Sequence, residues 1–202
     1  MTEILTKNKY DIIYLDPLWQ YGGSGGTKWL PASDYYDTMP LSDLMSMQSE
    51  INKISKDDCL LFMWCCGPTM SDAIALGQHW GFEYITVAFV WYKQRANVGN
   101  YTMSSCEFVL LFKKGKIPDD RVRNPGTLQF LSCPIGQHSQ KPYEIKNRIT
   151  NMFPRSKKIE LFSRNISKGW DCWGNALNDD NLVIENTCTN LNDCLVQRKK
   201  RF

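Results

Sequence analysis

Runs of apolar residues, set off by polar punctuation, divide the chain into alternating short strands and helices. The first run, Tyr10 to Leu15, carries apolar side chains on both faces, with Tyr10, Ile12 and Tyr14 on one and Ile13 and Leu15 on the other. That suits a strand covered on both sides, as in a parallel α/β sheet. Proline cannot continue a ladder, so in the following Asp16-Pro17-Leu18-Trp19 the acid falls at the carboxyl end of the strand. Open α/β sheets bind ligands at that edge. Pro40, with Leu41, Leu44 and Met45 on one face, marks a helix start. Leu60 to Cys66 reads as a second buried strand, stopped by Gly67-Pro68. Thr69 is placed to cap a helix from Met70 to Trp80 that Gly81 closes.

Tyr84 to Lys93 is a third strand, rich in β-branched and aromatic residues. A polar segment from Gln94 to Met103 separates it from a fourth, Cys106 to Phe112, in which Glu107 is an odd residue for a buried position. The stretch from Gly115 to Gln140 reads as irregular. Pro142 fits the first turn of a helix to about Phe153, with Ile145, Ile149, Met152 and Phe153 at helical spacing. Lys158 to Phe162 is a fifth strand, and Trp170 to Leu177 a last compact piece. This alternation predicts an α/β sheet wound with short crossovers. It fills one domain, residues 1–177, followed by a polar, basic-ended tail, 178–202.

Composition changes this picture little. The 202 residues are 43% hydrophobic and 22% charged, ordinary for one compact domain. No run approaches the roughly 18 apolar residues of a membrane span, and Met1 to Lys9 lacks a signal-peptide core. The eight cysteines include no Cys-x-x-Cys pair for zinc, so the reading is free thiols, no metal and a cytoplasmic protein, with the nucleus open for a eukaryotic source. A net charge of +3 is too small to argue for nucleic acid. Basic clusters at 113–116, 121–123, 155–158 and 198–201 each read as solvated loops and together allow a basic rim.

The candidate chemistry sits in the Asp-Pro-x-Trp stretch. A carboxylate and the main-chain carbonyl of Pro17, aimed at one nitrogen, fit an exocyclic amine such as N6 of adenine. Trp19 then offers a flat face for a flipped-out base. The other reading is an Asp-Pro turn ending a strand, with Trp19 a core aromatic. The glycine-rich run Tyr21 to Thr27 lacks the spacing and following Lys-Ser or Lys-Thr of a P-loop, and reads as a loop beside the site. His79 reads as a surface or boundary residue. His138 stays open as a site residue, and Trp64, Trp80, Trp91 and Trp173 read as core.

The order of six motifs narrows the choice. They are Asp16-Pro17-Leu18-Trp19, Leu61-Phe62-Met63-Trp64, Phe89 to Lys93, Ser139 to Ile145, Ile159 to Arg164 and Trp170 to Asn175. Together they cover nearly all of Tyr10 to Leu177. The chain resembles the N6-adenine methyltransferase family named after the seventy-kilodalton subunit of the mRNA adenosine methylase. The resemblance implies a Rossmann-like fold with helices on both faces and the catalytic motif ahead of the cofactor-binding strand. It also implies methyl transfer from S-adenosylmethionine to N6 of adenine in nucleic acid, with DNA favoured over RNA.

Carried over by motif, Asp16 and Pro17 hold the target amine and Trp19 stacks on the base. Tyr36 and Glu107 stand in the active site. Asp16, Lys141, Phe162, Arg164, Asn165 and Asn175 face the cofactor, with Lys141 at its carboxylate, Arg164 and Asn165 on the ribose side and Asn175 on the adenine side. Such a ligand carries a positive sulfur, a cationic amine and a carboxylate, which acids, a lysine and amides suit. Three departures from the family pattern are Leu18 where proline is usual, Ser163 where glycine or alanine is common, and Ala176 where some members carry an amide. Leu18 is the only support for a second reading, an inactive paralogue acting as a nucleic-acid-binding or scaffolding partner. A small-molecule methyltransferase is disfavoured by the planar-amine geometry. Self-association, or pairing with a paralogue, stays open.

Overall fold

The computed structural model describes residues 4, 6, 8–20, 38–99, 101–117, 124, 126–136 and 140–174. Its strands are β1 (Tyr10–Leu15), β2 (Ser55–Cys65), β3 (Glu83–Val98), β4 (Met103–Lys114), β5 (Phe130–Ser132), β6 (Lys158–Leu161) and β7 (Asp171–Trp173). They form one sheet in the order β5-β3-β4-β2-β1-β6-β7. β1 lies between β2 and β6 and runs parallel to both. β4 is antiparallel to β2 and to β3, so it alone runs against the others.

Both faces of the sheet are covered, which explains the unbroken apolar run of β1. Helices α1 (Leu41–Ser46), α2 (Gln48–Ile54) and α3 (Met70–His79) pack on one face. There Ile13, Leu15, Leu61 and Met63 share a core with Leu44, Ile51 and Leu76. Helix α4 (Tyr143–Met152) covers the other face, where Ile12, Tyr14, Phe62 and Trp64 meet Ile145, Ile149 and Phe153. This is the expected Rossmann-like α/β arrangement.

The structure corrects the sequence reading in several places. The polar stretch from Gln94 to Met103 does not separate β3 from β4 but belongs to them. A tight turn, with Gly99 N–H donating to Thr102 O at 3.1 Å, joins them as a hairpin. Partners joined by so short a turn must be antiparallel, which makes the sheet mixed. Beyond the sheet body the hairpin has no buried face, so it shows no apolar alternation. β5 lies in the stretch read as irregular, and three residues are too few for a period to emerge. Tyr10 packs with Ile13 and Leu15 rather than with Ile12, because a register shift follows it and flips its face. Thr69 stands at the N-cap of α3 but makes no side-chain cap there; its hydroxyl accepts the Cys66 N–H at 3.1 Å.

The basic rim is also revised. Lys113 and Lys114 pair with Glu83, Asn52 and Ser55, and Lys157 lies over the Tyr10 ring. The first cluster sits at the carboxyl end of β4, beside the amino-terminal parts of β2 and β3, and the second at the amino end of β6, both at the end of the sheet opposite Asp16. Clusters 121–123 and 198–201 lie outside the described residues. Among the described residues, Cys65, Cys106 and Cys172 are free thiols. No helix among the described residues is long and apolar enough to cross a membrane.

Candidate active site

β1 ends at Leu15, and Asp16 is the first residue beyond the ladder, with 31% of its side-chain surface exposed. The chain then turns tightly around Leu18, with Trp19 N–H donating to Pro17 O at 2.7 Å. That carbonyl keeps a second lone pair. Met39 N–H donates to Leu18 O at 2.7 Å, and Trp19 and Met39 form a parallel bridge. The two ends of the segment 20–38 are thereby tied together. On the neighbouring strand the chain bends at Phe162, whose φ of 58° is left-handed. Such a backbone costs on the order of 1–3 kcal/mol in a non-glycine residue and concentrates at functional sites. The bend lets Ser163 N–H donate to Trp173 O at 3.0 Å. A Cβ on Gly174 would collide with the Ser163 backbone, so this close approach requires glycine. The chain leaving β1 goes to β2 and that leaving β6 to β7, on opposite sides. The crevice between their carboxyl ends is a topological switch point, where such sheets bind ligands.

A chain of alternating charges closes one side of this crevice. Lys141 Nζ lies 2.9 Å from Asp16 Oδ2 and 3.2 Å from Glu107 Oε2. Glu107 Oε1 in turn lies 3.2 Å from Lys93 Nζ. Lys141 also stands 5.5 Å above the Trp64 ring. Trp64 is held from below, its indole donating to Tyr14 OH at 2.6 Å and its carbonyl accepting from the Trp19 indole at 3.0 Å. Two acids thus share one lysine on an aromatic floor built from β1 and β2.

Their titrations follow from that sharing. Burial raises the Asp16 carboxyl above its ordinary value, with Lys141 offsetting part of the rise. Burial acts in the same sense on Glu107, but Lys141 and Lys93 outweigh it and hold that carboxyl below its ordinary 4.5. Burial alone would lower Lys141, yet Asp16 and Glu107 raise it. A lowered carboxyl stabilises the fold above its unfolded value and loses that contribution as pH falls through the folded one. The stability gap between wild type and Glu107→Gln is therefore expected to be full above pH 4.5 and to close below it. Denaturation midpoints across that range check this; a gap independent of pH would mean that the lysines do not hold Glu107 ionised.

The structure brings Asp16, Pro17, Glu107 and Lys141 together, with Phe162, Arg164 and Asn165 following β6 on the other side of the crevice. Arg164 is close enough to Asp16 to oppose the rise of its carboxyl. Lys141 faces the two acids. Trp19 departs from expectation: it is 6% exposed and packs in the core under α1, its indole N–H taken by Trp64. It supports the floor of the site and does not offer an open stacking face. Trp173 is half-buried rather than core, 5.6 Å edge-on to Phe162. Tyr36, His138 and Asn175 lie outside the described residues. Lys93 is a site residue that the sequence reading does not single out, although Glu107 in a strand signals a cationic partner, and Lys93 lies within the strand that pairs with it.

A sequence model of the family described as MT-A70 matches residues 10–176. The chain is 47% identical over 197 residues to the type II methyltransferase M.MunI of a Mycoplasma species, covering 89% of this chain and 83% of that protein. It is 25% identical to the human N(6)-adenine-specific methyltransferase METTL4, covering 85% of this chain and 38% of that protein. It is 26% identical to the human N(6)-adenosine-methyltransferase catalytic subunit METTL3, covering 87% of this chain and 29% of that protein.

Proposed function

The chain belongs to the MT-A70 family, and from that premise we propose that this methyltransferase modifies N6 of adenine in DNA, with S-adenosylmethionine as donor. The observation that carries the reading is Asp16, half-exposed at the carboxyl end of β1, beside the Pro17 carbonyl and backed by Lys141 and Glu107. DNA rather than RNA is supported by the 47% identity to a protein named a type II methyltransferase. Residues 1–177 form the methyltransferase domain in this reading.

The residues present suit the donor. Phe162 and Trp173 offer an aromatic wall, and Asp16 and Arg164 supply opposite charges. Asp16, Phe162, Arg164, Asn165 and Asn175 would hold it. Lys141 would reach its carboxylate only by sharing its charge with Asp16 and Glu107. Bound there, S-adenosylmethionine supplies an electrophilic methyl group. The adenine amine is a weak nucleophile because its lone pair is conjugated into the ring. Asp16 Oδ1, the oxygen turned from Lys141, and Pro17 O accept its two hydrogens and favour a pyramidal nitrogen. The raised Asp16 carboxyl makes that oxygen a better acceptor for the proton that N6 sheds. Glu107 and Lys141 fix the carboxylate in place, and Tyr36 belongs to the same site. Adenine-containing DNA is the partner; pairing with a second methyltransferase chain is a further proposal tested by sedimentation.

Leu18 does not argue for an inactive scaffold. It is the central residue of the turn closed by Trp19 N–H and Pro17 O, and its φ is not positive, so the turn is of the inverse kind with φ near about −75°. Proline's φ of about −65° fits that position. Leu18→Pro is therefore expected to retain activity and gain about 0.4–1 kcal/mol in stability, read by turnover and thermal melting. Wild-type inactivity restored by Leu18→Pro would favour the scaffold.

The function is tested by incubating the protein with labelled S-adenosylmethionine and matched DNA and RNA, then digesting to nucleosides. N6-methyldeoxyadenosine is expected. Label on cytosine, or on RNA alone, would overturn the reading.

A further inference from the structure

The hairpin β3–β4 is longer than the sheet needs. β4 pairs with β2 only over Phe108 to Lys114, and β3 pairs with β5 only over Val90 to Tyr92. Beyond those residues the two strands pair with each other alone, as far as Val98 opposite Met103. β3 runs parallel to β1, so this free ribbon projects from the same sheet edge as Asp16. Its base is the Lys93–Glu107 pair, which leads through Lys141 to Asp16. From Glu107 to Met103 the ribbon extends about 13 Å at roughly 3.3 Å per residue. A large bulge bends it on the way: Tyr92 pairs with Cys106 but Asn97 with Ser104, and Gln94 takes a φ of 55°. Bulges next to active sites re-aim a strand.

The tip has the surface of a recognition element. Tyr101 is fully exposed, and Val98 and Met103 are each 58% exposed. Residues 94–99 and 101–105 contain Arg95, the amides Gln94 and Asn97, several hydroxyls and no carboxylate. The nearest acid, Glu107, is already claimed by two lysines. We propose that this ribbon enters the major groove of duplex DNA beside the target adenine and reads the neighbouring bases. The proposal rests on the reading of the protein as a DNA methyltransferase and names the part that recognises the substrate.

The dimensions agree. The major groove of B-form DNA is about 12 Å wide and 8.5 Å deep and admits a two-stranded ribbon, whereas that of duplex RNA is too narrow for side chains to read. Arginine and amide side chains are the groups that hydrogen-bond guanine and adenine edges, and exposed apolar side chains meet the thymine methyl. The described basic clusters lie at the opposite end of the sheet, so Arg95 is a cation correctly placed where they are not. A second copy of the chain fits less well, since tip against tip would bring two arginines together with no acid between them.

The test compares wild type with Arg95→Ala, Tyr101→Ala and the double variant, all at exposed positions. Binding to fluorescent random-sequence duplex DNA, binding to S-adenosylhomocysteine, thermal melting and sedimentation are measured, and methylated sites are sequenced. The double variant is expected to weaken duplex binding about tenfold or more and to blur the methylated sequence, with melting and S-adenosylhomocysteine binding unchanged. Unchanged duplex affinity and unchanged site preference would overturn the proposal. So would loss of self-association in place of loss of DNA affinity, which would make the ribbon an interface between copies. Ribbon-dependent duplex binding without any methyladenine would leave the ribbon standing and remove the catalytic reading instead.

Discussion

Asp16→Ala is expected to abolish methyl transfer while leaving the protein folded. Asp16 lies outside the β1 ladder, and its neighbour Lys141 keeps a second carboxylate in Glu107, so no charge is stranded by the change. Burial raises the Asp16 carboxyl, and a carboxyl raised by folding opposes stability above its unfolded value. Stability at neutral pH should therefore hold or rise slightly. Losing one preorganised polar group that faces the reacting amine removes about 10²–10³ in rate. Single-turnover rates on a methylatable duplex, with melting curves as the control, measure both halves. Turnover within a few-fold of wild type in a folded variant would dismiss Asp16 as the amine acceptor.

Trp19→Ala is expected to act through stability. Emptying a buried tryptophan site costs about 3–5 kcal/mol, and the Trp64 carbonyl loses its indole donor at 3.0 Å. Trp64 carries Lys141 above its ring, so the collapse reaches the charged site from beneath. Chemical denaturation should show a large fall in the midpoint, with turnover and S-adenosylhomocysteine binding falling together. Trp19→Phe fills most of the volume without the N–H and should cost about 1 kcal/mol. A variant Trp19→Ala that melts like wild type yet fails on DNA alone would return Trp19 to the role of a base platform.

The legible parts of the chain were those where one physical requirement shows in consecutive residues. β1 has apolar side chains on both faces because α1 to α3 and α4 press on it from two sides, and Pro17 marks its end without help from tertiary structure. Glu107 announced itself by sitting where a carboxylate needs a partner. What stayed hidden depends on neighbours distant in sequence. Lys93 gains meaning only when β3 folds back on β4. Trp19 reads equally as platform or core until Trp64 supplies its acceptor. The left-handed Phe162 has no sequence signature, because phenylalanine is an unusual choice there.

The knot at Leu18, Trp19 and Met39 has a bearing on how such a protein diversifies. One hydrogen bond of 2.7 Å and a bridge pin together the two ends of the intervening segment. The sheet therefore senses the fixed separation of those ends and not the number of residues strung between them. Doubling such a segment costs only about 0.6 kcal/mol in closure entropy. Apart from Tyr36, the residues between those ends can change in number and identity while the frame that holds Asp16 stays unaltered.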